Sequence, residues 1–287
     1  MTDHPRKVTV IGGGTMGCGI AGLMAVAGSA VTLIEVDRAA ADRAAERVRR
    51  EWPDSAGALT RLETTTDIRR IPPETELVIE AVAEDAELKA EVLAAAGRAA
   101  SKAIIATNTS SIAISRLARA VHDPGRFLGL HFFNPVAKSA LIEIVTGERT
   151  APETVELARS WSEVWQRTPI VVRDSPGFAT SRLGVLLGLE AIRMVEEGVA
   201  DPHDIDSAMV LGYRHPIGPL RLTDLVGLDV RLAIAEYLSG ELGDRFSPPQ
   251  LLREKVGNGF LGRKTGQGFY SWTTGGRSSD AGRRDDR

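Results

Sequence analysis

A short apolar run, Lys7 to Ile11, passes directly into Gly12-Gly13-Gly14-Thr15-Met16-Gly17 and then into a helix-like stretch from Thr15 to Gly28. Few local patterns constrain a fold as tightly. Gly12, Gly14 and Gly17 stand in G-x-G-x-x-G spacing at a strand-to-helix junction. The first glycine allows the tight turn, the second lets the backbone approach a pyrophosphate, and the third lets the helix pack against the strand. The helix then points its free N–H groups and positive dipole end at the phosphates. A second apolar run, Ala30 to Ile34, ends in Glu35, 23 residues after Gly12. An acid at an offset of roughly 20 residues holds the adenosine ribose of a dinucleotide. Gly12, Gly13, Gly14, Thr15, Met16, Gly17 and Glu35 are therefore the expected cofactor-binding residues. A carboxylate accepts from both ribose hydroxyls and repels a 2′-phosphate, so NAD is expected over NADP. Arg38 nearby is of the residue type that accommodates that phosphate.

The first half of the chain keeps alternating strand and helix. Apolar runs at Leu77–Ala81, Ala103–Ala106, Phe127–His131, Leu141–Val145 and Pro169–Val172 read as further strands. Helical patterns fall at Ala39–Trp52, Glu84–Ala100 and Ala151–Trp165. Alternation of this kind means right-handed crossovers and a mostly parallel sheet covered by helices. The character changes at Asp174-Ser175-Pro176-Gly177, a turn-rich junction. Beyond it, Thr180–Glu197, Asp201–Leu211, Leu220–Leu238 and Pro248–Val256 read as helices. The expected fold class is α/β: a Rossmann-type domain over 1–173, then an all-helical domain over 174–274. Residues 275–287, almost without apolar side chains, have the composition of a disordered tail.

Composition narrows the partners. A chain of 287 residues suits two domains. At 43% apolar, 25% charged and a net charge of −3, it gives no electrostatic reason to bind nucleic acid or an anionic membrane. No apolar stretch approaches the roughly 20 residues of a membrane span. The first strand starts at Lys7 and leaves no room for a signal peptide, and Cys18 is the single cysteine, so a cytoplasmic setting is expected. Cys18 reads as a small buried packing residue. No Cys/His cluster stands at metal-ligand spacing, so no metal is expected.

Three further segments carry candidate chemistry: Thr107-Asn108-Thr109-Ser110-Ser111, Leu130-His131-Phe132-Phe133-Asn134-Pro135 and Leu141-Ile142-Glu143-Ile144-Val145. Oxidising an alcohol needs a base for the hydroxyl proton, and histidine suits this near neutral pH. Such a base needs an acid to fix its tautomer and steady the imidazolium. Glu143 lies inside an apolar strand, where an unpaired carboxylate is costly, so it calls for a partner, and His131 is the candidate. Ser110 follows a strand end, on the sheet edge where ligands bind in open α/β folds. Each residue also has a plainer reading: a structural histidine at a strand end, a glutamate paired with arginine for stability, a serine capping a helix.

The chain resembles the L-3-hydroxyacyl-CoA dehydrogenase family, which includes 3-hydroxybutyryl-CoA dehydrogenases. The resemblance rests on Ile11 to Gly17, Asn108 to Ser111, His131-Phe-Phe-Asn-Pro135, Asp174-Ser-Pro-Gly-Phe178 and Gly262-Arg-Lys-Thr-Gly-Gln-Gly-Phe-Tyr270, in the family's order. It implies a catalytic base at His131, its acidic partner at Glu143, and Ser110 near the reacting oxygen and the nicotinamide. It implies the ribose acid at Glu35 and polar cofactor-site residues at Glu84, Lys89, Asn108 and Lys264. From the residues alone, Glu84, Lys89 and Lys264 read as charges on a solvated helix face or loop. The resemblance also implies an acyl-CoA substrate and a homodimer.

Two departures from the family stand out. After Ser-Pro-Gly-Phe the family has an Asn that contacts substrate, where this chain has Ser181. A serine makes one hydrogen bond each way but lacks the amide's reach. The stretch between Glu35 and the Leu77 strand is also short, so the projecting helical hairpin that contacts coenzyme A in the family is expected to be trimmed. The resulting reading is a reversible NAD-dependent oxidation of short-chain (S)-3-hydroxyacyl-CoA. The alternatives are a free 3-hydroxy acid or another acyl carrier, and a non-catalytic NAD-binding sensor.

Overall fold

The computed structural model describes residues 4–272, and the tail expected at 275–287 lies outside the described residues. The chain divides into two compact units, with the boundary between Phe178 and Ala179.

The first unit is built on one eight-stranded sheet. Its strands are β1 (Lys7–Ile11), β2 (Ala30–Ile34), β3 (Leu62–Thr65), β4 (Leu77–Glu80), β5 (Ile104–Thr107), β6 (Phe127–Phe132), β7 (Leu141–Thr146) and β8 (Thr168–Arg173). They lie in the order β3-β2-β1-β4-β5-β6-β7-β8. Only the β6–β7 pair is antiparallel. Residues alternate between the two faces. Val10, Leu33, Ile79 and Leu130 pack beneath α1 (Thr15–Val26), α2 (Arg38–Glu51) and the single-turn α3 (Ala56–Leu59). Ile11, Val78, Ile105 and Phe127 pack on the opposite face against α4 (Ala86–Ala99) and α5 (Ile114–Leu117). A further helix, α6 (Pro152–Val164), joins the first layer through Ala158 and Trp161. Strands β4, β5 and β6 are buried along their whole length, which is why they read as unbroken apolar runs.

Strand β3 is not among the expected strands, and its composition explains why. Leu62-Glu63-Thr64-Thr65 has one apolar residue and sits half-exposed at the sheet edge, held to β2 by its backbone. The α4 helix begins two residues later than its pattern implies, because Asp85 is the cap: its Oδ1 accepts from the N–H of Glu87 and Leu88 at 3.0 and 2.8 Å. Glu84 is thereby left in the turn ahead of the helix.

The second unit is helical among its described residues apart from short bridges near its end. It contains α7 (Thr180–Glu196), α8 (Pro202–Ser207), α9 (Pro219–Val226), α10 (Leu228–Leu242) and α11 (Gln250–Gly257). Leu189, Ile192, Leu220, Leu238 and Phe246 form its core. The Leu220–Leu238 pattern, which reads as one helix, is divided into α9 and α10 because Gly227 takes φ 107°. The Gly262–Tyr270 segment wraps the buried Asp224. Its carboxylate accepts the N–H of Phe269 and Tyr270 and the indole N–H of Trp272, at 2.8–2.9 Å. A side chain at Gly268 would occupy the space of that carboxylate. No helix among the described residues is long and apolar enough to cross a membrane.

Candidate active site

The carboxyl ends of the parallel strands gather most of the residues singled out from the sequence. Strand β1 ends at the glycine turn, β2 just before Glu35, β4 at Glu80, β5 beside Asn108 and β6 one residue past His131. Chain order reverses between β1 and β4, with β2 and β3 on one side and β5 onward on the other. Ligands of open α/β sheets bind at such a switch point.

The glycine turn has the shape a dinucleotide needs. Gly12 takes φ 100°, and a Cβ there would stand 2.7 Å from the carbonyl oxygen of Ala81. A Cβ on Gly17 would collide with the carbonyl of Gly12, while one on Gly14 would meet nothing. The first and third glycines are thus excluded from carrying side chains by packing, and the second leaves backbone open to an approaching phosphate. Gly13 donates its N–H to Glu35 Oε1 at 2.7 Å, and Val36 donates to Oε2 at 2.9 Å. This fixes the Glu35 carboxylate beside the turn. Met16 packs partly into the core, and Thr15 stays exposed at the start of α1.

A buried ionic cluster supports the next two strand ends. Lys89 is 1% exposed, so it is not on the solvated helix face that its sequence context implies. Its Nζ lies 2.7 Å from Glu80 Oε1, 3.4 Å from Glu84 Oε2 and 3.3 Å from the Val82 carbonyl oxygen. Three donors therefore meet three acceptors. Glu80 also accepts the Thr107 hydroxyl at 2.6 Å and the Val82 N–H at 2.7 Å, tying β4 to β5. The other oxygen of Glu84 gathers the Thr109–Ser111 loop. It accepts the Thr109 hydroxyl at 2.6 Å, the Ser110 N–H at 3.0 Å and the Ser111 hydroxyl at 2.9 Å. Burial pushes the Glu84 carboxyl up, but the Thr109 bond, the Lys89 charge and the Ser111 and Ser110 bonds outweigh it, leaving the group below the ordinary glutamate range. None of these pairings is expected from the sequence, and Glu80 is not among the expected site residues. The signal for it is nevertheless there: Glu80 is a lone carboxylate at the end of an apolar strand, the same reason that singles out Glu143.

His131 and Glu143 are opposite one another in the β6–β7 ladder. The His131 Nδ1 lies 2.7 Å from Glu143 Oε2, and the Glu143 side chain is fully buried. An ionised carboxylate only accepts, so Nδ1 carries a proton toward Glu143, and in the neutral imidazole that leaves the lone pair on Nε2. Phe133 and Phe178 pack against the imidazole, with ring centroids 4.5 and 5.8 Å away. Asn108 braces this strand end: its Oδ1 accepts the Phe132 N–H at 2.9 Å.

Two of the expected residues belong to the second unit. Ser181 is half-buried in the first turn of α7. Lys264 holds the carboxylate of Asp229, with both oxygens at 2.6 Å from its Nζ.

Comparison with known proteins bears directly on this edge. The model of the 3-hydroxyacyl-CoA dehydrogenase NAD-binding domain matches residues 7–175, and that of the same family's C-terminal domain matches 177–272. The chain belongs to the 3-hydroxyacyl-CoA dehydrogenase family. It is 41% identical to a 3-hydroxybutyryl-CoA dehydrogenase of Mycobacterium tuberculosis, over 95% of this chain and the whole of the relative. A probable 3-hydroxybutyryl-CoA dehydrogenase of Deinococcus radiodurans is 39% identical over 93% of this chain and all of the relative. The crystal structure of the (S)-3-hydroxybutyryl-CoA dehydrogenase of Ralstonia eutropha superposes with a TM-score of 0.89, at 38% identity, covering 94% of this chain and 99% of that one. The family's chemistry is an NAD-dependent oxidation of 3-hydroxyacyl-CoA, and this chain is an oxidoreductase of that kind.

Proposed function

We propose that the chain interconverts short-chain (S)-3-hydroxyacyl-CoA and 3-oxoacyl-CoA, with His131 as general base and Glu143 as its orienting acid. The single observation that carries this reading is the 2.7 Å contact between His131 Nδ1 and the buried Glu143 carboxylate, at the same sheet edge as the glycine turn. The relatives from M. tuberculosis and R. eutropha, both 3-hydroxybutyryl-CoA dehydrogenases, support the short chain length.

The cofactor's residues follow from the turn. The Gly12–Gly17 backbone and the start of α1 receive the pyrophosphate, and Glu35 the adenosine ribose. Asn108, Glu84 and Lys89 shape the cofactor site's other end, and the family resemblance adds Lys264 to the cofactor residues. NAD⁺ supplies the acceptor for the hydride from C3. His131 Nε2 takes the hydroxyl proton, and the Glu143 carboxylate, bonded to Nδ1–H, steadies the imidazolium. Ser110 holds the reacting oxygen, and Ser181 contacts the substrate. In the reverse direction the imidazolium returns its proton to the carbonyl oxygen. We place this chemistry in a cytoplasmic homodimer.

A second reading has its own support. Between α2 and β3 the chain makes only a 3-10 turn, Pro53–Ser55, and the single-turn α3. That reduced connection leaves little of the hairpin expected to grip coenzyme A, and so favours a free 3-hydroxy acid or another carrier. NADH oxidation by purified protein with acetoacetyl-CoA, and separately with free acetoacetate, distinguishes the two. Turnover with the thioester that disappears in His131→Ala supports the main reading. Turnover with the free acid alone supports the second.

A further inference from the structure

Helix α10 carries Arg231 on the face it turns to α7, inside the second unit. An arginine ordinarily buries its stem and keeps its guanidinium in water. Arg231 as a whole is only 8% exposed. Its Nε is buried with no hydrogen-bond partner, and among the described residues no ion pair reaches the group. Burial lowers its pKa to about 10, with no neighbouring carboxylate opposing the shift. The group is therefore charged at neutral pH, and its charge is uncompensated. A buried guanidinium in that state is costly.

The acids nearest in the fold are committed elsewhere. Asp229, two residues away on α10, is held by Lys264. Asp224 accepts from Phe269, Tyr270 and Trp272, and Asp206 from Leu220, Arg221 and the Tyr270 hydroxyl.

The helix facing Arg231 is glycine where it comes closest. A Cβ on Gly184 would stand 3.6 Å from Arg231 Nη1, an ordinary contact, so packing does not demand a glycine there. Room is left beside the guanidinium. One turn further along α7, a Cβ on Gly188 would stand 3.1 Å from Thr223 Oγ1, a second fully buried polar atom without a partner. Ser181 precedes Gly184 by three residues and shares its face of α7. That offset is about 4.5 Å along the helix axis. Ser181 is the residue assigned above to substrate contact, and the inference rests on that assignment.

We infer that Arg231 receives a carboxylate at the far end of the acyl chain, so that the preferred substrate is a 3-hydroxyacyl-CoA whose short acyl chain ends in a second carboxyl group. Ser181 meets the chain near its reacting end, a few methylene groups span the helical turn, and the guanidinium takes the terminal carboxylate through paired charge-assisted bonds. A chain ending in a methyl group leaves the buried charge unpaired, which is the source of discrimination. A carboxylate from a second copy of this chain offers the same chemistry. The substrate is favoured because the guanidinium stands one helical turn from Ser181.

The test compares kcat/KM of the full chain with NAD⁺ for 3-hydroxyadipyl-CoA and 3-hydroxyhexanoyl-CoA, which have equal chain lengths and differ at the terminal group. The native protein is expected to favour the dicarboxylic thioester by about tenfold or more, chiefly through KM. Arg231→Met removes the charge and keeps an unbranched stem, and should lower that preference by about tenfold or more. Arg231→Lys, which keeps a cation, should retain part of it. A merely structural arginine would lower both activities together and leave their ratio unchanged. A native ratio of one or below, or a ratio unmoved in Arg231→Met, overturns the inference. The native ratio needs no variant, so it decides the matter even where Arg231→Met fails to fold. A native ratio near one, with Arg231→Met eluting as a monomer where the native chain elutes as a dimer, assigns the guanidinium to a second copy and overturns the inference. A native chain that oxidises neither thioester, nor 3-hydroxybutyryl-CoA, refutes the acyl-CoA reading and the inference with it, a result distinct from a ratio of one.

Discussion

His131 and Glu143 meet across the one antiparallel step of the sheet, with Nδ1 and Oε2 2.7 Å apart. The ladder sets both backbones, so the pair does not depend on loop conformation. Replacing Glu143 by Gln keeps the shape but removes the charge that stabilises the imidazolium. The kcat for 3-hydroxybutyryl-CoA is expected to fall by about 100-fold or more. Steady-state kinetics on a variant shown to be folded by circular dichroism would check this. Turnover within a few-fold of the native chain would contradict the assigned role.

Lys89 and Glu80 form a fully buried ion pair that joins α4 to the end of β4. Lys89→Leu strands the Glu80 carboxylate without its cation and should cost about 3–5 kcal/mol. The double change Glu80→Gln/Lys89→Met, which removes both charges, should recover much of that loss. Urea midpoints of the two variants give the answer, and a Lys89→Leu midpoint equal to the native one would rule out the buried-charge argument.

Glu84 has a carboxyl held below its ordinary range by the Thr109, Ser111 and Ser110 bonds and the Lys89 charge, against its burial. Folding therefore favours the ionised form. The stabilisation is present above the unfolded value of about 4.3 and fades as pH falls through the lower folded value. The difference in melting temperature between the native chain and Glu84→Gln should be largest near neutrality and close in acid. A difference that stays constant from neutral to acid pH would show that Glu84 acts through packing alone.

Cys18 is fully buried, and its thiol donates to the Gly13 carbonyl oxygen at 3.0 Å. Burial pushes its pKa up to about 11, against the pull of Arg47. The thiolate is the reactive form, so a disulfide reagent at mildly alkaline pH should leave the native protein unmodified and label one thiol after denaturation. Rapid labelling of native protein would place the thiol in contact with solvent.

Patterns that act along the chain are legible in the order of residues. The glycine spacing, the apolar β4, β5 and β6 and the cap and first-turn proline at Asp201-Pro202 depend on backbone geometry and local periodicity, and the Asp201 carboxylate does accept the Asp204 N–H at 2.9 Å. Glu143 is legible for a related reason: a carboxylate within an apolar strand announces that it needs a partner. Strand β3 is not, because an edge strand held by main-chain bonds leaves no hydrophobic trace. Nor is the break at Gly227, where one positive φ ends a pattern that would otherwise continue.

Sequence by itself determined the strand–turn–helix unit at Gly12, the sheet that follows from alternating elements, and the need of Glu143 for a partner. Tertiary structure decided which charges meet. Lys89 is buried against Glu80 rather than solvated, and Arg38 is taken by Asp42 while Arg43, Arg47 and Arg50 remain turned to a cleft beside Glu35. The reason is range: turns and periodicity act over a few residues, whereas a charge is settled by whatever the fold brings within a few ångströms, however distant in the chain.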